Sequence, residues 1–350
     1  MKSVSLRILA LLILLASSNA LNTSAASPSF QEPNPTAQQL FDKGLEQLNA
    51  GKYEEAIETY KQVVRLEPNS SAYSNLSSAY INLGKYQEAV DAAKQAVAVN
   101  PDNLAAQNNL GFSLMQMARA EEAIAPLKRA VALDETNIKA SLNLGSAYQS
   151  LARYQEALDA YKVIVRVKPD DPRGHDAVGD MYAMMGKNQE AAEAFLQLIK
   201  LTPDDVAAHG RLGTIYGNSG QYSEAVKAFK EVVRINPDSV QGHNSLGVMY
   251  VMLAQYPQAI ESFKQVVRLK PSEPGAYNNL AKAYRHATKY AEAVEAYKQA
   301  VALKADYVEA QYGLGIAYFY LGNREAAQNQ YKLLQSLDAD KAAELLKEIK

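Results

Sequence analysis

The feature that most restricts this chain is a short phrase that returns at a fixed interval. It reads Gly51-Lys-Tyr-Glu-Glu-Ala56, Gly84-Lys-Tyr-Gln-Glu-Ala89, Ala152-Arg-Tyr-Gln-Glu-Ala157 and Gly220-Gln-Tyr-Ser-Glu-Ala225, with later copies at Ala254–Ala259 and Thr288–Ala293. The closing alanines of all copies are Ala56, Ala89, Ala123, Ala157, Ala191, Ala225, Ala259, Ala293 and Ala327, spaced by 34 residues except for one step of 33. A period of this length marks an array of small supersecondary units. Nine units follow, beginning at Ala37, Ser70, Leu104, Ile138, Pro172, Val206, Val240, Pro274 and Val308.

Each unit reads as two helices. The first carries an apolar residue, a small one and a tyrosine at helical spacing, as in Leu144-Gly145 with Tyr148 and Leu212-Gly213 with Tyr216. A Gly or Ala turn follows. The second helix sets an alanine four residues before an aromatic, as in Ala225 with Phe229 and Ala259 with Phe263, and a proline closes the unit at Pro68, Pro101, Pro169, Pro203, Pro237 and Pro271. The third unit has Glu135 in place of that proline, and the eighth and ninth have Ala305 and Ala339. Pro126 lies inside a second helix, where loss of an N–H donor predicts a bend. A lone 34-residue hairpin cannot bury enough surface to stand by itself, so the units must stack on their neighbours. Ala342, Leu345, Leu346 and Ile349 form one apolar stripe over residues 340–350, the pattern of a capping helix.

The period and the spaced Leu-Gly, Tyr, Gly/Ala-x-Tyr, Ala, Phe/Tyr and Pro positions resemble the tetratricopeptide repeat family over residues 37–339. The resemblance implies an all-α fold, a right-handed α-solenoid of helix-turn-helix repeats with a C-terminal capping helix. It also implies a non-catalytic scaffold whose first helices line a concave groove for a protein or an extended peptide. The sixth position of each unit points into that groove in the family. Here it holds Asn75, Asn109, Asn143 and Asn279, with Asn108, Asn244 and Asn278 one residue earlier, and the pattern breaks at Ala177, Arg211, Ser245 and Gly313. An asparagine amide both donates and accepts, so such a ladder suits the backbone of a bound peptide. It suits hydrogen bonds between repeats equally well, and both readings stand. Phe112, Met115, Met252, Phe319 and Tyr320 would add apolar groove contacts or pack between helices. The family's clamp for a terminal carboxylate is matched only in fragments, by Lys139 and Asn143, with Ser74 and Ser78 where Lys and Asn are required.

Ahead of the array, Lys2 and Arg7 precede an apolar run from Ile8 to Ala16 and then small residues, the pattern of a secretory signal peptide. The expected signal is residues 1–20, with cleavage after Ala20 or, as second choice, Ala25, and residues 21–36 form a flexible linker. The run is too short to span a bilayer, and an uncleaved anchor is the alternative. Removing the segment's two cations, Lys2 and Arg7, takes the net charge from −2 to −4. The expected location is therefore periplasmic or extracellular.

Several chemistries are disfavoured by the residues themselves. Thirty-six Lys and Arg balance 38 Asp and Glu with no long run of either sign, which argues against nucleic acid. Cysteine is absent, removing thiol catalysis, thiolate metal sites and disulfides. His175, His209 and His243 hold the fourth position of successive units, so they are separated by whole layers and read as structural, not as ligands of one metal. Gly186-Lys187 lacks the following Ser or Thr of a phosphate loop. The recurring Glu55, Glu88, Glu122, Glu156, Glu190, Glu224 and Glu292 fall in first turns, where the helix dipole favours them. No nucleophile, base and orienting group converge, so neither enzyme activity nor a cofactor is expected. The expected function is an exported scaffold binding a protein or extended peptide, in envelope assembly or secretion. The alternative is a non-catalytic accessory subunit of a glycosyltransferase or another carbohydrate-related enzyme.

Overall fold

A computed structural model describes residues 35–350. The signal-peptide expectation, and all but the last two residues of the expected linker, lie outside them. The described residues form nineteen helices and no strand. The first helices of the units are α1 (Ala37–Asn49), α3 (Ser70–Asn82), α5 (Leu104–Gln116), α7 (Ile138–Ser150), α9 (Pro172–Met184), α11 (Val206–Asn218), α13 (Val240–Met252), α15 (Pro274–His286) and α17 (Val308–Tyr320). The second helices are α2 (Tyr53–Leu66), α4 (Tyr86–Val99), α6 (Ala120–Leu133), α8 (Tyr154–Val167), α10 (Asn188–Leu201), α12 (Tyr222–Ile235), α14 (Tyr256–Leu269), α16 (Tyr290–Leu303) and α18 (Arg324–Leu337). A final helix, α19 (Ala339–Ile349), packs on α17 and α18. The architecture is an all-α solenoid in which each helix contacts its nearest neighbours along the chain.

Local chemistry sets the boundaries. Asn69, Asn103, Asn137, Asp171, Asp205 and Ser239 cap first helices through their side chains, and Thr36 with Gln39 forms a full capping box at α1. Second helices lack such side-chain caps except at Asn323, and several instead carry acidic residues in the first turn. The tight turn inside each hairpin needs one left-handed residue. Glycine supplies it at Gly51, Gly84, Gly186, Gly220 and Gly322, whereas Ala118, Ala152, Ala254 and Thr288 adopt it with a side chain, at φ of 56 to 58°. Pro126 is buried within α6, and the helix is continuous around it from Ala120 to Leu133.

The nine recurrent alanines are all completely buried. They sit where helices come closest, and a larger side chain would separate them. The eighth position of the unit works with the aromatic sixteen residues on. Phe195, Phe229 and Phe263 lie so near Gly179, Gly213 and Gly247 that an added Cβ would come within 2.8 to 2.9 Å of their rings. The eighth unit differs. Ala281 replaces the glycine and is itself fully buried, and the Tyr297 ring instead covers Gly313 of the following unit. At the far end Leu345 and Ala342 of α19 close the core against Ile316 and Leu334.

Candidate functional site: the face of the first helices

The asparagines at positions five and six join one unit to the next, except Asn278, whose buried Oδ1 has no hydrogen-bond partner. Asn143 donates its Nδ2 to Asn108 Oδ1 at 2.8 Å, Asn279 donates to Asn244 Oδ1 at 3.0 Å, and Asn109 donates to the Ser74 carbonyl at 3.2 Å. Each bond spans 35 residues, from position six of one unit to position five of the unit before it. Where the asparagine pattern breaks at Arg211, charge takes over the same joint: the guanidinium pairs with Asp176 at position five, and also with Asp180 at 3.2 Å. Asn75 has a different partner and donates to the Tyr60 hydroxyl at 2.9 Å.

Exposure divides this set. Asn108, Asn109 and Asn278 are at most 6 % exposed, so their side chains are not presented to a groove. Asn75, Asn143, Asn244 and Asn279 are half-buried. Met252 and Tyr320 are about half exposed, at 52 % each.

The regularly spaced histidines have a local role. His175, His209 and His243 donate Nε2–H to the carbonyls of Pro169, Pro203 and Pro237 at 2.8, 2.8 and 2.9 Å. Gln107 and Gln311 make the same bond to Pro101 and Ala305, at 2.8 and 2.9 Å. In these five units the fourth position thus ties the first helix to the turn before it, satisfying a carbonyl that the broken helix leaves open.

A cavity of about 580 Å³ lies on this face across the fifth to seventh units. Phe195, Phe229 and Val232 of the second helices form its floor, while Asp180, Arg211, Thr214 and Gln241 supply polar groups from α9, α11 and α13. Burial pushes the Asp180 and Asp176 carboxyls above the usual carboxylate range, against the opposing pull of Arg211. An apolar floor with a few convergent polar groups is the usual composition of a recognition pocket. Sequence reasoning missed it, because Arg211 registered only as a gap among asparagines and Asp180 belongs to no repeat pattern. The signal was present in the pairing of one Arg with two Asp residues 31 and 35 positions earlier. No group of three or more His, Cys, Asp or Glu side chains suited to a metal occurs among the described residues. None of the described helices is long and apolar enough to cross a membrane.

A solenoid of stacked two-helix units defines a repeat scaffold of the protein-interaction class. Family models described as tetratricopeptide repeat match residues 41–93, 74–138 and 177–240, 114–180, and 308–341, and one described as TPR repeat matches 251–285 and 288–322. The chain belongs to the tetratricopeptide repeat family. No curated protein matches it. Among solved structures, the C-terminal part of a TPR repeat-containing protein from Cytophaga hutchinsonii is 17 % identical, with a TM-score of 0.61 over 69 % of this chain and 99 % of that one. That likeness is one of fold. MamA is 28 % identical with a TM-score of 0.45, covering 46 % of this chain and 95 % of its own. YrrB, described as a TPR protein with an unusual peptide-binding site, is 21 % identical with a TM-score of 0.46, covering 52 % and 94 %.

Proposed function

We propose that the chain is an exported scaffold that holds a protein, or an extended segment of one, along its first-helix groove, and serves assembly or secretion in a cell envelope. The observation that carries the binding part is the cavity at Asp180, Arg211 and Thr214, whose apolar floor suits an inserted side chain and whose polar rim suits a backbone. The half-buried Asn75, Asn143 and Asn279 each spend one N–H inside the array and keep other amide atoms for a ligand. Export rests on the Lys2, Arg7 and Ile8–Ala16 pattern alone.

One experiment tests binding and export together. A photocrosslinking residue is placed at Thr214, exposed at the cavity, or at Lys230, exposed on α12, and the full chain is expressed with its N-terminus intact. Discrete crosslinked partners from Thr214 but not from Lys230, on a mature chain that starts near residue 21 or 26, are the expected result. Equal labelling from both positions would sink the groove reading. A chain retaining Met1 in the cytoplasm would sink export.

A further inference from the structure

Charge changes sign along the groove. Asp180 and Ala183 line the cavity of the fifth unit, and the residues at the same two positions of the eighth unit, three periods later, are Lys282 and Arg285. Among the described residues neither makes an ion pair, in contrast to Arg211 and Arg173, which are held by Asp176 and Asp180 and by Asp171. The Arg285 Nε is buried and has no hydrogen-bond partner. Beside that guanidinium stands the Tyr297 hydroxyl, wholly buried, whose proton meets no acceptor. In the fourth unit the corresponding hydroxyl, of Tyr161, is satisfied by Ser146 at 3.2 Å and Gln149 at 3.0 Å, the residues at the positions that Lys282 and Arg285 occupy. The eighth unit has replaced two neutral partners with two cations, which offer the hydroxyl no acceptor. His286, next in line, is held below the usual imidazole range by burial and then by Arg285 and Lys282, so the local field is positive.

Two cations outside any ion pair and a hydroxyl proton with no acceptor describe half of an anion site. We propose that Lys282, Arg285 and the Tyr297 hydroxyl form a seat for the side-chain carboxylate of an acidic residue in the segment that the groove holds. A carboxylate accepts a guanidinium N–H and a hydroxyl together, and it leaves no buried donor unpaired. A side chain, not a chain terminus, fits because first-helix faces continue past the seat into both the seventh and ninth units. The proposal deepens the groove reading and rests on it for the identity of the occupant as protein.

The test measures fluorescence anisotropy of N-terminally labelled, C-terminally amidated hexaglutamate with the full mature chain at low salt. Parallel probes are amidated hexalysine and a hexaserine carrying a free terminal carboxylate. Hexaglutamate should bind most tightly, and Lys282→Gln and Arg285→Gln should each weaken it about tenfold, the worth of one charge-assisted hydrogen bond. Arg285→Lys, which keeps the charge, should recover part of the loss, Tyr297→Phe should weaken binding by less, and Lys227→Gln on α12 should change nothing. Unchanged helicity of each variant separates lost binding from lost folding. Preference for hexalysine or for the free terminus, or hexaglutamate binding indifferent to Lys282 and Arg285, overturns the seat. Crosslinked partners at Thr214 without hexaglutamate binding refute the seat alone, whereas Arg285-dependent hexaglutamate binding without crosslinked partners refutes the partner-holding reading alone.

Discussion

The ring of Tyr297 covers the α-carbon of Gly313 in the next unit, whereas the ring of Tyr161 covers Gly145 in its own. The difference follows from Ala281, whose methyl group occupies the eighth position of the unit where Gly145 stands in the fourth. A tyrosine needs a glycine beneath it, and the eighth unit takes that glycine from its successor.

Gly313→Ala therefore drives a methyl into a buried ring, and the expected loss is about 1–3 kcal/mol. Ala281→Gly in the same chain reopens the seat used elsewhere and should restore much of that stability. Urea unfolding of the two single variants and the double variant measures the coupling, and strictly additive losses would contradict it.

Asn143→Ala removes the one hydrogen-bond donor to Asn108 Oδ1 among the described residues, inside a joint where Asn108 is 4 % exposed. The expected cost is about 1–3 kcal/mol, since a buried acceptor is left without a partner. Replacing both residues with leucine should cost less than the single change. Equal stability of wild type and Asn143→Ala would show that the bond contributes nothing.

Thr288 turns the eighth hairpin at φ 58°, a conformation that a β-branched side chain disfavours. Thr288→Gly should raise stability by about 1 kcal/mol, visible as a higher urea midpoint at unchanged slope. The same change at Gly-bearing turns is not available, so the gain should be confined to Ala118, Ala152, Ala254 and Thr288.

Asp180 predicts a pH dependence with a definite sign. Burial raises its folded pKa, so the folded state holds the proton more tightly than the unfolded one. The stability linked to this group is fully present below its ordinary value of 3.8 and is lost as pH rises through the raised folded value. Asp180→Asn, which leaves the Arg211–Asp176 pair, should be more stable than wild type at neutral pH and equal to it near pH 3. A gain that persists unchanged in acid would exclude ionisation as the cause.

The fold was legible because its determinants repeat. Ala225, Phe229 and Pro237 each recur at 34-residue spacing, and helix type, stacking and the all-α solenoid follow from that spacing alone. The site was only partly legible. Asn143 and Asn279 stood out by position, but their bonds run over 35 residues, from one unit's sixth position to the previous unit's fifth, and a comparison made in steps of 34 never sets those two side by side. The pairing of Arg211 with Asp176 escaped for the same reason. Nor could a repeat pattern reveal Tyr297, whose partner depends on a single methyl group at Ala281.

That methyl has a bearing on how such an array can be inherited. The fifth, sixth and seventh units each carry their own glycine under their own phenylalanine, so recombination that copies or deletes one of them leaves the neighbours intact. The eighth cannot be moved alone: placed before a unit with asparagine at Gly313's position, its tyrosine would meet a side chain. The last two units should therefore be gained and lost as a pair, and arrays descended from this one should vary in length on the N-terminal side of Pro274.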